Sequence, residues 1–426
     1  MSRFLCTMIT AVLVLGLTVA PAMGGLMVES TAVVAMHGDM PMPPTMPPTM
    51  PPTAPSMPPP RPPSMDPTMP MPPTDPSMPP TMPPSMDPTM PMDPSMKTEV
   101  DRSTGSNRIT TAIQISNSQF MDGTADSAVI VNGYSLPDAL TAPALAGAVE
   151  GPVLFTHGDH VSDAVMDELD RLGVERIYLI GGTSVLSTTV QREFANAGFS
   201  TKRLSGANRY ATAEAVAAKV AAIRGGLTRA FVVNAGFTSA ALSASPVAYS
   251  QGMPILFTSS TGLPAETTRA IRNLGVDNVT VIGGTSSVSS ATYAALTRAT
   301  TGRLDNRISG SSRFENARLL AEYAVAQGWA DPTHVGLVNG VTGFAEGLAG
   351  ASIIGARNGV VLLVTGVELT RPSQIFLETH GMAGDVEGVH LYGGTGLISD
   401  SVKIQVVNLG LNHDTDEDPT DPTHQH

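Results

Sequence analysis

Three arginines are the groups in this chain best suited to meet an oxyanion, because each closes the same short motif: Gly105-Ser-Asn-Arg108, Gly206-Ala-Asn-Arg209 and Gly310-Ser-Ser-Arg313. A guanidinium makes paired, charge-assisted hydrogen bonds to phosphate or carboxylate. Asn107 and Asn208, just before two of these arginines, are counted with them as candidate ligand-binding residues. The competing role is an ion pair with a nearby carboxylate at a domain interface. Asp138 is the candidate partner of Arg108, whereas Ala240 leaves the second motif without the same partner.

A second set of candidates is the Gly-Gly-Thr string, found as Gly181-Gly182-Thr183, Gly283-Gly284-Thr285 and Gly393-Gly394-Thr395. Each follows an apolar run and precedes a helical one, which is the edge where open α/β sheets bind ligands. Glycine lets a backbone approach closely, and free amides with a helix dipole favour an anion. Glycines that merely make a tight turn explain the repetition equally well.

Catalytic patterns are absent. The histidines at 157, 160, 334, 380 and 390 fall at unrelated places, and no nucleophile elbow, Walker loop or zinc-helix pattern occurs. His157-Gly-Asp-His160 could hold a metal, but the equivalent stretches, Ser259-Ser260-Thr261 and Gly366-Val367-Glu368, contain no histidine, so a solvated loop is expected. Cys6 is the single cysteine, which excludes disulfide frameworks, thiol catalysis and cysteine-zinc sites. No cofactor, no metal and no enzymatic activity are expected.

The elements that must carry these residues repeat three times. Arginine-to-arginine offsets are 101 and 104 residues, a spacing that marks a triplicated domain and not a solenoid. In the second copy the pattern gives strands over Phe231–Asn234, Pro254–Thr258 and Val279–Ile282. Helices are expected over Ala213–Ala222, Ser239–Gln251, Ala265–Leu274 and Ser289–Thr297, with a short strand at Arg203–Ser205. Near-continuous apolar strands alternating with helices imply right-handed βαβ units and a parallel sheet covered on both faces. The fold class is therefore α/β: three tandem flavodoxin-like or Rossmann-like repeats, over 98–200, 201–302 and 303–412.

Around this core lie segments of different composition. Ser2-Arg3, the apolar stretch Met8 to Val19 and Ala20-Pro21-Ala22 read as a cleaved signal peptide over 1–22. An uncleaved anchor competes, because no charge interrupts Phe4 to Val28. If cleavage occurs, the mature chain has no transmembrane segment. Residues 23–97 are expected to form a disordered Met/Pro-rich stalk; 25 of the 36 prolines lie between Met40 and Met96, too many for a core or a backbone ladder. Met40, Met42, Met46 and Met50 after His37 resemble thioether tracts for Cu(I), the alternative being a plain spacer. Residues 413–426 are expected to be an acidic disordered tail. Residues 98–412 carry 21 basic and 26 acidic side chains and no basic stretch, so nucleic acid is not an expected partner.

The string Arg203-Leu-Ser-Gly-Ala-Asn-Arg-Tyr-Ala-Thr-Ala213, the Pro-Ile-Leu-Phe strand and Val-Ile-Gly-Gly-Thr resemble the type 2 cell-wall-binding repeat family of Gram-positive surface proteins. The resemblance spans about 98 to 412. It implies a pseudo-threefold arrangement of α/β domains that anchors an exported protein non-covalently to anionic wall polymers, teichoic acids or anionic polysaccharides, at the cell wall. Departures occur. The family's Asp-Ala-Leu is kept as Asp138-Ala-Leu140 but becomes Ala240-Ala-Leu242 and Glu346-Gly-Leu348, and Val361 replaces the proline of Pro152 and Pro254. An exported cell-wall hydrolase on the same scaffold and a copper-handling surface protein are the alternative functions.

Overall fold

The computed structural model describes residues 98–300 and 304–411. The leader, the stalk with its methionines and the acidic tail lie outside the described residues. Chain order builds three similar units. The first contains α1 (Arg108–Gln119), β2 (Ser127–Asn132), α2 (Leu136–Ala139), α3 (Ala142–Ala148), β3 (Val153–Thr156), α4 (Asp163–Leu172), β4 (Arg176–Ile180) and α5 (Thr188–Asn196), after an opening strand β1 (Glu99–Ser103). The second runs β5 (Ser200–Leu204), α6 (Arg209–Arg224), β6 (Arg229–Asn234), α7 (Thr238–Gln251), β7 (Ile255–Thr258), α8 (Ala265–Asn273), β8 (Asn278–Ile282), α9 (Ser290–Ala299). The third runs β9 (Leu304–Ile308), α10 (Arg313–Ala326), β10 (His334–Asn339), α11 (Phe344–Ala356), β11 (Val360–Val364), α12 (Arg371–Gly381), β12 (Gly388–Tyr392), α13 (Asp400–Val407).

The strands form three four-stranded parallel sheets, ordered β3-β2-β4-β5, β7-β6-β8-β9 and β11-β10-β12-β1. Their inner strands are buried along nearly their whole length, as the continuous apolar runs require when helices cover both faces. The fourth strand of each sheet belongs, by sequence, to another copy. β5 and β9 begin the second and third copies yet complete the sheets of the first and second. β1 begins the first copy and pairs with β12 of the third, Asp101 opposite His390. Exchange of one strand per copy closes the three units into a ring.

The centre is made by α3, α7 and α11, which pack on one another pairwise. These helices are Ala-, Gly- and Ser-rich and buried all round, so they carry no polar face. Small residues are required there. A β-carbon at Gly147 would lie 1.9 Å from the Tyr249 carbonyl oxygen, and one at Gly355 would lie 2.5 Å from that of Pro246. Buried serines satisfy themselves on the preceding turn, Ser243 Oγ donating to Ser239 O at 2.9 Å and Ser352 Oγ to Leu348 O at 3.0 Å. The leading helix of each copy then packs on the central helix of the copy before it: α6 on α3, α10 on α7, α1 on α11. This is the pseudo-threefold packing the resemblance implied.

Candidate functional site

Strand exchange decides where the candidate residues meet. At the C-terminal edge of each sheet, the Gly-Gly turn leaves β4, β8 or β12 next to the fourth strand, and that strand leads into the arginine motif of the following copy. The first amide of each turn is fixed to that strand, Gly181 N–H donating to Leu204 O, Gly283 to Ile308 O and Gly393 to Ser103 O. Between the second and third copies the two sets line one cleft of about 220 Å³, bounded by Gly283, Gly284, Ser312, Arg313, Phe237 and Ala240. At this junction the predicted arginine and glycine pair thus come together across copies, not within one.

Arg108, Arg209 and Arg313 are each the first residue of a helix. Each guanidinium donates to the carbonyl one residue past a strand-end asparagine: Arg108 to Gly133 at 2.7 Å, Arg209 to Ala235 at 3.4 Å, Arg313 to Gly340 at 2.8 Å. One bond of this kind leaves donors over, since a guanidinium has five N–H groups. The expected pairing of Asp138 with Arg108 is not what forms. Asp138 feels the charge of Arg209, because α2 packs on α6 of the next copy. Burial nonetheless pushes the Asp138 carboxyl above its usual value, the attraction of Arg209 offsetting only part of that cost.

Asn107 and Asn208 are helix caps. Asn107 Oδ1 accepts from Ile109 and Thr110, and Asn208 Oδ1 accepts from Ala211, while Ser312 does the same in the third copy. The first glycine of each turn has a left-handed backbone, φ being 113° at Gly181, 126° at Gly283 and 123° at Gly393. The turn itself therefore demands glycine. Gly182, Gly284 and Gly394 accept the amides that close it, and Thr183, Thr285 and Thr395 are exposed beyond. The helix after the turn starts six residues beyond the second glycine. It begins at Thr188, Ser290 or Asp400, and in the first two cases a serine, Ser187 or Ser289, occupies its leading amides. At the junction of the second and third copies, the helix that lines a cleft with the Gly-Gly turn is the one led by Arg313, from the following copy.

Two further sets hold this edge together. Arg102, Arg203 and Arg307, six residues before each site arginine, donate to the first carbonyl of the turn: Gly393 at 2.7 Å, Gly181 at 2.8 Å, Gly283 at 2.9 Å. Burial lowers the guanidinium pKa of Arg203 and Arg307. Asn132, Asn234 and Asn339 end the strands and clamp the far side of the turn, Nδ2 donating to Val185, Ser287 and Leu397 carbonyls at 2.6–2.7 Å. Both sets recur at the motif period, so repetition was the signal available for them; their partners were not.

The His157-Gly-Asp-His160 loop is a stack. Arg108 lies over the Tyr134 ring at 4.8 Å, Tyr134 stacks on His157 at 5.1 Å and His157 on His160 at 4.3 Å. Among the described residues no group of three or more His, Cys, Asp and Glu could hold a metal, and no helix is long and apolar enough to cross a membrane.

The model of cell wall binding domain 2 matches residues 102–191, 203–293 and 307–403. The chain belongs to the cell wall binding domain 2 family. Relatives of the chain include the N-acetylmuramoyl-L-alanine amidase LytC of Bacillus subtilis, 32% identical over 309 residues, covering 72% of this chain and 58% of that protein. The amidase enhancer of the same organism is 31% identical, covering 62% and 34%. The chain thus spans about half the length or less of such relatives. Among solved structures, Cwp6 from Clostridium difficile matches with a TM-score of 0.67 at 20% identity over 74% of this chain and 48% of that one. Cwp8 matches at 0.65 and 22%, over 73% and 52%. These likenesses show a shared fold, and the family places the chain in association with the cell wall.

Proposed function

We propose that this chain is an exported surface protein that attaches non-covalently to anionic cell-wall polymer, teichoic acid or anionic polysaccharide, through its three repeats. The observation that carries the reading is the cleft between the second and third copies, where Arg313 stands beside the Gly283-Gly284 turn at the sheet edge where α/β folds take ligands, the same two motifs recurring in the other copies. Arg108, Arg209 and Arg313 supply charge, and Gly182, Gly284 and Gly394 with the exposed threonines let a polymer backbone lie close. Asn107 and Asn208 serve by capping and so aiming the arginine helices. The acidic total of the core does not oppose this, since a local cleft can be positive on an acidic surface.

Binding without catalysis is the reading; turnover of muropeptides by the purified chain would replace it. Retention of the full chain on isolated walls, before and after extraction of their anionic polymers, tests the proposal. Extraction is expected to abolish retention. Loss of an arginine that meets the polymer should cost about 1.5–3 kcal/mol at its site, the range for a charge-assisted hydrogen bond, and loss of all three should abolish retention. Normal retention of a folded triple variant would exclude the arginines as anchors.

A further inference from the structure

The three junctions share their plan and differ at one position, the residue of the Asp-Ala-Leu motif facing the Gly-Gly turn. Between the first and second copies it is Asp138, whose Oδ2 would lie 3.3 Å from a β-carbon built on Gly181. Between the third and first it is Glu346, which is buried, its β-carbon 3.9 Å from the same point on Gly393. Between the second and third it is Ala240, and a β-carbon on Gly283 would meet only Ser287. The cleft of about 220 Å³ lies at this last junction. Among the described residues no carboxylate lines it: Arg313 is its charge, Ser286, Ser311 and Ser312 bring hydroxyls, and Phe237, 48% exposed, stands at its margin.

We propose that the junction between the second and third copies is the oxyanion site of the molecule, and that Asp138 and Glu346 fill the corresponding place in the other two with the protein's own carboxyl group. This deepens the wall-binding reading and rests on it. A carboxylate beside the turn takes the volume and repels the charge of an incoming phosphodiester or carboxylate. An alanine leaves both free, so Arg313 meets the polymer's anionic group while Phe237 offers an apolar ring to the adjoining sugar or polyol. The ligand class is an oxyanion carried on a sugar or polyol chain. Its source is a phosphodiester polymer or a uronic-acid polymer, which the two probes below separate.

The test titrates the full chain with poly(glycerol phosphate) oligomers, with oligogalacturonate and with neutral dextran of matched length, and measures wall retention in parallel. The wild type is expected to bind one of the two anionic probes with a stoichiometry of one, and dextran not at all. Ala240→Asp, a residue the first copy carries natively at this place, should weaken binding at least tenfold. So should Arg313→Gln, at an exposed position, and by more than Arg108→Gln or Arg209→Gln. Asp138→Ala should raise the stoichiometry toward two. Wild-type affinity in folded Ala240→Asp or in Arg313→Gln, or equal losses from all three arginine variants, would overturn the assignment. A wild type retained on walls that binds neither anionic probe would overturn it as well while leaving the wall-binding reading in place; a wild type not retained on walls would overturn that reading itself.

Discussion

Single residues at the sheet edges divide into those that shape the turn and those left to meet a ligand. The first glycine of each Gly-Gly pair belongs to the former. Gly283→Ala would hold an L-residue at φ 126° with its β-carbon 2.2 Å from Ser287 Oγ, and we expect a loss of about 1–3 kcal/mol from backbone strain alone, read by denaturant unfolding. Asn132→Ala strips the partners from the Val185 carbonyl and the Tyr134 amide inside a buried edge and should cost a similar amount, about 1–3 kcal/mol. Asp138 differs in sign. Its carboxyl is raised by burial, so the folded chain holds this proton more tightly than the unfolded chain, and stability is lost as pH rises from the unfolded value of about 3.9 through the raised one. Asp138→Asn should therefore raise the melting temperature at pH 7, with the gain shrinking to nothing near pH 3. A melting temperature that stays below wild type at pH 7 would show that attraction to Arg209 outweighs desolvation.

At the scale of elements, β1 is the unusual one, because a five-residue strand at the start of the described core completes a sheet whose other strands lie more than two hundred residues away. Arg102 bonds Gly393 O and Asp400, and Asp101 meets His390 Nδ1 at 2.6 Å, with Arg357 on the other ring nitrogen at 3.2 Å. Burial alone would raise Asp101, but the hydrogen bond and charge of His390, with Arg357 and Lys403, outweigh it and leave the carboxyl below its usual value. Burial and the charges of Arg357 and His390 hold His334 down, its Nδ1 buried without a partner. Both shifts act in the same direction. The stability they add is complete above about pH 6.5 and fades as pH falls, through the His334 range first and below about pH 3.9 for Asp101. Hydrogen exchange is expected to show the amides of β12 losing protection as pH falls below about 6.5, an effect His334→Gln should blunt. Removing residues through Ser103 should lower stability by about 3 kcal/mol or more, at roughly 0.5–1.5 kcal/mol for each bond lost.

The whole molecule is expected to behave as one cooperative body. Each sheet borrows a strand from another copy, and each leading helix packs on its neighbour's central helix, so a copy cut out at the sequence period loses one strand of its own sheet and keeps one that has no partner. Limited proteolysis should leave a core beginning near Thr98 and ending near Leu411; stable single repeats as major products would contradict the ring. Central packing should tolerate little: Gly147→Ala forces a methyl to 1.9 Å from a carbonyl oxygen and should cost about 1–3 kcal/mol or more. Wall retention, being electrostatic in the proposed mode, should fall in concentrated salt, where the Debye length shortens from about 8 Å to about 3 Å at 1 M. Retention unchanged by salt would point to another mode of attachment.

The α/β class, the number of copies and most element bounds were legible in the chain, because parallel strands buried on both faces write continuous apolar runs and helices write their own period between them. The second copy shows how far this goes: helices expected over Ser239–Gln251 and Ala265–Leu274 form over Thr238–Gln251 and Ala265–Asn273. The motif residues were also legible as a set, since three repetitions single out an arginine or a glycine pair without any structure. Partnership was not. Asp138 lies thirty residues from Arg108 and seventy-one from Arg209 in the chain, yet it faces the latter, because the fourth strand of every sheet comes from another copy and carries its arginine with it. Local pattern fixes what each segment becomes; which copy completes which site depends on strand exchange and on three small-residue helices meeting at the centre, contacts between residues too distant in sequence to leave a periodic trace.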